Sequence, residues 1–148
     1  MSNPSIREQL IVAVLAAVRP VMTTLGATLY RSPSVAIRRD QCPALVVFPE
    51  TEPITERSNN RVRRELHLRL VALTRTVPPL SSEAEADRLL TAAHTALMAD
   101  VNFGGLALSV HEVETEWDIE DADASACAMT TRYQIIYRTL DNNLTLSG

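Results

Sequence analysis

Residues 61 to 73 alternate clearly between apolar and polar side chains. The apolar set is Val62, Leu66, Leu68 and Leu70, and the polar set between them is Arg63, Glu65, His67 and Arg69. A period of two predicts a β-strand with one side in the core and the other side facing water. A strand with one apolar side needs cover on one face only, which favours an antiparallel or mixed sheet with its helices on that face.

Two capping boxes predict where helices begin. Ser5-Ile6-Arg7-Glu8 precedes an apolar stripe that continues to Leu25, and Gly26 is a natural terminator. We expect Pro20 to kink or end this helix near Arg19. Ser82-Glu83-Ala84-Glu85 predicts a second helix that begins at Ser82 and runs to about Asp100.

The remaining segments predict short strands and one long loop. Residues 27–31 and 35–38 are typical of short strands, and the apolar run 43–49 is typical of a buried one. The polar, acidic stretch from Glu50 to Asn60 contains Pro53 and predicts a loop, which at this length usually carries a function. Residues 106–119 and 127–138 predict an antiparallel hairpin joined by an acidic turn over 120–125. A loss of apolar phase predicts a β-bulge near His111 and Glu112.

These elements follow the order α-β-β-β-α-β-β. We therefore predict an α/β fold of the α+β type, with a mixed or mostly antiparallel sheet and two helices on one face. The 148 residues are enough for one ordinary domain with a substantial core, so residues 1–148 are assigned to a single domain. The apolar run from Leu10 to Val18 is too short to span a bilayer, and we expect a cytoplasmic protein without a membrane partner.

Charge is distributed unevenly along the chain. The net charge is −4, but residues 1–76 hold 11 Arg against 6 acids, whereas residues 77–148 hold 3 Arg against 12 acids. A negative total argues against tight binding of nucleic acid, which requires a basic surface.

An acidic stripe runs along the predicted strand 106–119. Glu112, Glu114, Glu116 and Asp118 alternate and would project from one face, and Glu120, Asp121 and Asp123 extend the stripe. Its counterpart is a group of arginines on and beside the central strand: Arg57, Arg61, Arg63, Arg64, Arg69 and Arg75. The two sets can pair across strands within one subunit, or they can meet between neighbouring copies. Opposite charges on separate edges favour a head-to-tail contact, and such a contact makes a ring when it closes.

The sequence does not contain a recognisable catalytic or metal-binding motif. His67, His94 and His111 are the only histidines and have no metal-ligand spacing, and Cys42 and Cys127 are too far apart to form a Cys-X-X-Cys motif. We expect neither enzymatic activity nor a cofactor.

The whole arrangement resembles the tail terminator, or tail completion, proteins of long-tailed bacteriophages. The resemblance covers nearly all of the chain and depends on the order of several segments. They are the capped N-terminal helix, Pro43-Ala44-Leu45, the strand ending at residues 70–74, the helix 84–100, the Phe-Gly-Gly-Leu-Ala link at 103–107, the acidic strand and the closing segment 133–139.

This resemblance implies a structural role. Members form a hexameric ring that caps the tail tube, ends its polymerisation and presents the attachment surface for the head connector, while double-stranded DNA passes through the lumen without specific binding. The implied location is the head-proximal end of the virion tail, after assembly in the host cytoplasm. A negative lumen would let DNA slide, so the acidic stripe could line the lumen instead of a subunit interface.

Candidate contact residues come from charge and exposure. For a subunit interface or the lumen they are Arg61, Arg63, Arg64, Arg69, Glu112, Glu114, Glu116 and Asp118. For contact with the tube or connector, we expect the 50–60 loop to supply Glu50, Glu52, Glu56 and Arg57. The alternatives are a head-tail joining or neck protein of the same particle and a cytosolic oligomeric binding module.

Overall fold

A six-stranded mixed sheet carries two helices, as an α+β fold. The computed structural model describes residues 3–77, 79–120 and 126–148. The elements are α1 (Ile6–Thr24), β1 (Thr28–Arg31), β2 (Ala44–Thr51), β3 (Ile54–Ser58), β4 (Arg61–Arg75), α2 (Ser82–Met98), β5 (Ser109–Glu120) and β6 (Ala126–Leu140). The strand order is β1-β2-β4-β6-β5, with β3 also paired to β4. Only β1 and β2 run parallel among these pairs, which confirms the predicted mixed sheet.

Both helices pack on one face of the sheet. The core joins Leu10, Val14 and Val18 of α1 and Leu89 and Ala93 of α2 to the inward side chains of the strands. Those side chains include Leu45, Val47, Leu66, Leu68, Leu70, Met129, Tyr133, Ile135 and Tyr137. The alternation predicted for residues 61–73 is confirmed, because every second residue of β4 is buried. The other side chains of β4 lie on the opposite side of the sheet, which we call the open face.

The first helix begins and ends where the sequence predicts. The Ser5 hydroxyl accepts a hydrogen bond from the Glu8 amide at 3.1 Å, and Gly26 follows the helix with a φ of +73°. The expected return bond of the capping box is replaced, because the Glu8 carboxylate binds Arg31 instead. The predicted end of the helix at Pro20 is wrong: α1 continues to Thr24, because Pro20 lies on the exposed side, where water can replace one backbone bond.

Three other predictions need correction. The second helix is capped by Ser81, whose hydroxyl accepts from the Ala84 amide, so Ser82 is its first residue and the predicted cap is one position late. Residues 35–38 do not form a strand; the segment 33–37 instead lies against Val46 and Phe48 on the open face.

The predicted loop from Glu50 to Asn60 is also wrong. Residues 44–58 run antiparallel to β4 with an interruption at Glu52 and Pro53, and Asn59 and Asn60 make a tight turn into β4. Both asparagines have positive φ, 50° and 68°, as a two-residue hairpin turn requires. Every residue of β3 is exposed, so this strand does not need alternating apolar side chains. Its polar composition therefore did not distinguish it from a loop.

The bulge in β5 is confirmed. Glu112 pairs with Tyr133 and Glu114 pairs with the preceding Arg132, so Val113 is the extra residue. The predicted acidic turn at 120–125 lies almost entirely outside the described residues. Neither helix in the described part of the chain is long and apolar enough to cross a membrane.

The Ser5 cap gives a direct test of how α1 begins. Replacing Ser5 by Ala removes the acceptor for the Glu8 amide and should lower the free energy of unfolding by about 1 kcal/mol. Urea titration followed by circular dichroism measures the change. The exposed Ser34 is the matched control, and Ser34→Ala should change the free energy by less than about 0.5 kcal/mol. Equal losses in the two variants would contradict the cap.

Candidate subunit interface

The open face carries charged side chains in two separate clusters. The first surrounds Arg132, whose guanidinium binds Glu50 at 3.1 Å, Glu114 at 3.0 Å and Glu116 at 2.5 Å. Desolvation lowers the pKa of Arg132, but the hydrogen bond to Glu116 and the attraction of the carboxylates outweigh it and raise that pKa overall. Three carboxylates share one cation, so this end of the face keeps an excess of negative charge.

The bulge divides the predicted acidic stripe. Glu114 and Glu116 lie opposite Arg132 and Thr130 on the open face, and Asp118 lies opposite Ala128 on the same side. Glu112 pairs with the core residue Tyr133, which places it on the helix side. The prediction that four acids share one face is therefore wrong for Glu112, because one extra residue reverses the direction of every later side chain. We call Glu114, Glu116 and Asp118 the acidic cluster.

On the helix side, Glu112 lies near a histidine and a buried tyrosine. Its carboxylate is 3.9 Å from Nδ1 of His94, and that nitrogen is 2.8 Å from the Tyr133 hydroxyl. Burial, followed by the Glu112 charge, raises the pKa of Tyr133, so this phenol stays protonated at neutral pH. The contact between His94 and Tyr133 links α2 to β6.

The second charged cluster of the open face is basic. Arg61, Arg63 and Arg138 line a pocket of about 360 Å³ with Glu56, Ser58 and Asn59. Arg63 and Arg138 are direct partners across β4 and β6, and Glu56 is the partner of Arg63 across β3 and β4. We call these six residues the basic pocket. Arg138 was missed in the sequence because only the register of β6 brings it opposite Arg63.

Two of the predicted interface arginines have partners inside the subunit. Arg64 lies on the helix side of β4, is only 9% exposed and donates to the Thr139 hydroxyl at 3.1 Å. Arg69 lies on the open face with its guanidinium carbon 4.6 Å from the centre of the Phe48 ring, a cation–π contact. Arg64 is therefore buried within the subunit and is not part of the surface that can contact another copy.

Some of the residues predicted to contact the tube also have partners within the subunit, and others do not. Glu50 belongs to the cluster around Arg132, and Arg57 binds Asp141 at 2.8 Å. Glu56 is exposed on β3 and lines the basic pocket. All of them lie on or beside strands, so the projecting loop that was expected to carry them is absent from residues 50–60.

Glu52 is the centre of a partly buried charge network. Its carboxylate, only 11% exposed, accepts hydrogen bonds from Arg7 at 2.5 Å, from Arg64 at 3.4 Å and from the Tyr137 hydroxyl. Burial, followed by the bond to Glu52, raises the pKa of Tyr137 and keeps its phenol a donor. These contacts join α1, β4 and β6 through one carboxylate. Glu52 therefore stabilises the fold and offers little surface for contact with another protein.

The histidines do not converge. His67 and His111 lie on the open face on either side of Gln134, while His94 lies on α2. Within the described residues, no group of three or more His, Cys, Asp or Glu side chains could hold a metal ion. Both cysteines are free thiols, and burial raises the pKa of each.

Comparison with known proteins finds similarity to solved structures. No protein-family model and no curated protein matches the sequence. The chain is similar to a chain from the virion of a native gene transfer agent (GTA) particle. The match has 11% identity, covers 84% of this chain and 91% of the other, and has a TM-score of 0.49.

Removing the Glu52 carboxylate tests the partly buried network. Glu52→Ala leaves the buried Arg64 guanidinium without its acidic partner and should lower the free energy of unfolding by about 3 kcal/mol. Chemical denaturation followed by the fluorescence of Trp117 measures this loss. Glu56→Ala removes an exposed carboxylate from the adjacent strand and should change stability by less than about 0.5 kcal/mol. Similar values for the two variants would show that Glu52 is an ordinary surface acid.

Proposed function

We propose that the protein is a structural component of a phage-like particle, and more narrowly a tail terminator. Copies of the chain form a ring, a hexamer, that caps the tail tube and ends its polymerisation. The same ring presents the attachment surface for the head connector. It acts by assembly without catalysing a reaction, at the head-proximal end of the tail after assembly in the host cytoplasm.

The separation of charge on the open face carries this proposal. Asp118 lies opposite Ala128 of β6, ten residues from Arg138 along the same strand. At a rise of about 3.3 Å per residue along β6, Asp118 lies roughly 33 Å from Arg138, and Glu114, opposite Arg132, lies roughly 20 Å from it. The acidic cluster and the basic pocket are too far apart to neutralise each other within one subunit, since salt screens exposed charges beyond about 8 Å.

Two complementary patches at opposite ends of one face favour a head-to-tail contact. Each copy then uses its acidic end on one neighbour and its basic end on the other, and the chain of contacts closes when the rotation between copies divides a full turn. The open face suits this role because both helices pack on the other side of the sheet. The order of capped helix, central strands, second helix and acidic hairpin supports the same proposal through its resemblance to tail terminators.

The overall charge also suits a DNA conduit. The net charge of −4 repels phosphate, so DNA in the lumen of a ring would slide without sticking. Nucleic acid is therefore a passing occupant of the proposed ring and not its ligand.

Imaging and a capping assay test the proposed function together. We expect negative-stain images of the purified protein to show annular particles with six-fold symmetry, and native mass spectrometry to give six times the 16.3 kDa subunit mass. Added to polymerising tail-tube protein from the same genome, the protein should shorten the tubes in proportion to its concentration.

The matched controls use charge reversal. Arg61→Glu/Arg138→Glu, which reverses two exposed arginines of the basic pocket, should remove both the rings and the shortening. Arg19→Glu reverses an exposed arginine on α1, away from the open face, and should leave both unchanged. Binding to tail-less heads without any effect on tube length would contradict the tail terminator and would indicate a neck protein instead.

A further inference from the structure

The basic pocket holds more positive charge than the subunit neutralises. Arg57, the neighbouring arginine on β3, is paired with Asp141, whereas Arg61, Arg63 and Arg138 form no ion pair with any described residue. Glu56 is the one carboxylate among the six lining residues. Three guanidinium groups around one acid leave a net positive site.

The register makes this site unfavourable when it is empty. Arg63 and Arg138 are directly opposite each other on neighbouring strands, and like charges in that position destabilise a sheet. The Nε atom of Arg63 is also buried without a hydrogen-bond partner. An unpaired buried donor loses its bond to water without replacement, so the Arg63 side chain is not fully satisfied within the subunit.

The chemistry of three converging guanidinium groups selects an oxyanion. Arginine presents a planar fork of N–H donors that binds a carboxylate or a phosphate through two parallel hydrogen bonds. The side chains of Ser58 and Asn59 add uncharged polar groups at the rim. A cavity of about 360 Å³ has room for one or two carboxylate side chains.

We propose that the basic pocket is a docking site for the acidic cluster of a second copy of this chain, with the carboxylate of Asp118 as its main ligand. The inference rests on the proposed function and names the contact through which copies would join. It separates Arg61, Arg63 and Arg138 from Arg57, Arg64 and Arg69, which have partners within the subunit.

The charges of the chain favour a second copy over nucleic acid. Asp118 is exposed, and no described residue forms an ion pair with it. Next to it, Glu114 and Glu116 share Arg132 with Glu50, so the cluster keeps an excess of negative charge. A free acidic site and a free basic pocket therefore occur on the same face of one subunit, whereas the net charge of −4 opposes a DNA backbone.

Two variants, each with one damaged patch, test the proposal. The basic variant is Arg61→Glu/Arg138→Glu, and the acidic variant is Glu116→Gln/Asp118→Asn, which is neutral so that it cannot attract the reversed pocket of the basic variant. Arg63 is left in place to protect the fold. Sedimentation velocity of the wild-type chain should show association, and each variant alone should associate at least about tenfold more weakly. An equimolar mixture should form heterodimers and nothing larger, because the intact acidic cluster of one variant fits the intact basic pocket of the other.

Folding and charge controls accompany these measurements. Circular dichroism and thermal melting of each variant confirm that the fold is intact, and the recovery of heterodimers in the mixture is itself evidence of folding. Arg19→Glu and Asp87→Arg reverse exposed charges on the helices and should associate like the wild type.

Three results would overturn the proposed contact. The first is a wild-type chain that stays monomeric at millimolar concentration, and the second is association that persists in both variants. The third is a wild-type chain that binds a 20-base-pair duplex in fluorescence anisotropy, together with a basic variant that no longer binds the duplex but still self-associates. That result would assign the pocket to phosphate. Open filaments that dissolve in both variants would support the contact while contradicting the ring, so the two proposals fail separately.

Discussion

The pairing of β4 with β6 determines which side chains meet in this molecule. The two strands pair over fifteen consecutive positions, from Arg61 with Leu140 to Arg75 with Ala126. Side chains alternate between faces along both strands, so this one register sends Leu66, Leu68 and Leu70 to the helices and places Arg63 opposite Arg138. A slip by one residue would move every arginine of the open face into the core, at a cost of several kcal/mol for each buried charge. The apolar pattern thus fixes the positions of the charged groups as well.

A second constraint holds the neighbouring strand in place. Residues 44–58 pair with β4 but are interrupted at Glu52 and Pro53, where Pro53 still accepts a backbone bond from Glu65 at 3.0 Å. The interruption turns the Glu52 carboxylate toward Arg7, Arg64 and Tyr137. This network anchors the exposed β3 and the Asn59–Asn60 turn, which form one wall of the basic pocket. The buried charges therefore support the surface charges through the backbone.

Much of the fold could be predicted from periodicity and caps. The alternation over residues 61–73, the Ser5 cap and the bulge in β5 each have a local cause that is visible in the sequence. The strand at 54–58 could not be predicted because it is exposed on every residue, and Pro53 is typical of a loop. The paired asparagines were the available signal, since both tolerate the positive φ of a tight hairpin turn.

The candidate site was less predictable because it depends on register. Glu52 and Arg64 are charged residues in polar surroundings in the sequence, and only the packing of α1 against the sheet buries them. Arg132 and Arg138 occur far from the other arginines in the chain, yet β6 brings them opposite Arg69 and Arg63. The bulge at Val113 was predicted, but its consequence for Glu112 followed only from the pairing with Tyr133. Local patterns thus predicted elements, while long-range pairing determined which charges lie together.

Disulfide trapping tests the central claim, that opposite ends of the open face meet between copies. With Cys42→Ser and Cys127→Ala removing the natural thiols, cysteines replace Ser58, at the basic pocket, and Ala128, opposite Asp118, so that the proposed charged partners stay in place. Ser58 pairs with Arg61 and Ala128 with Leu73, so the two cysteines lie roughly 40 Å apart in one subunit and a bond between them can form only between molecules. The account predicts that mild oxidation of this Ser58→Cys/Ala128→Cys chain gives a ladder of covalent oligomers ending at six, and that neither single-cysteine variant proceeds beyond traces of dimer. Efficient dimers from each single-cysteine variant, with no ladder from the double one, would show that like ends meet and would contradict the account.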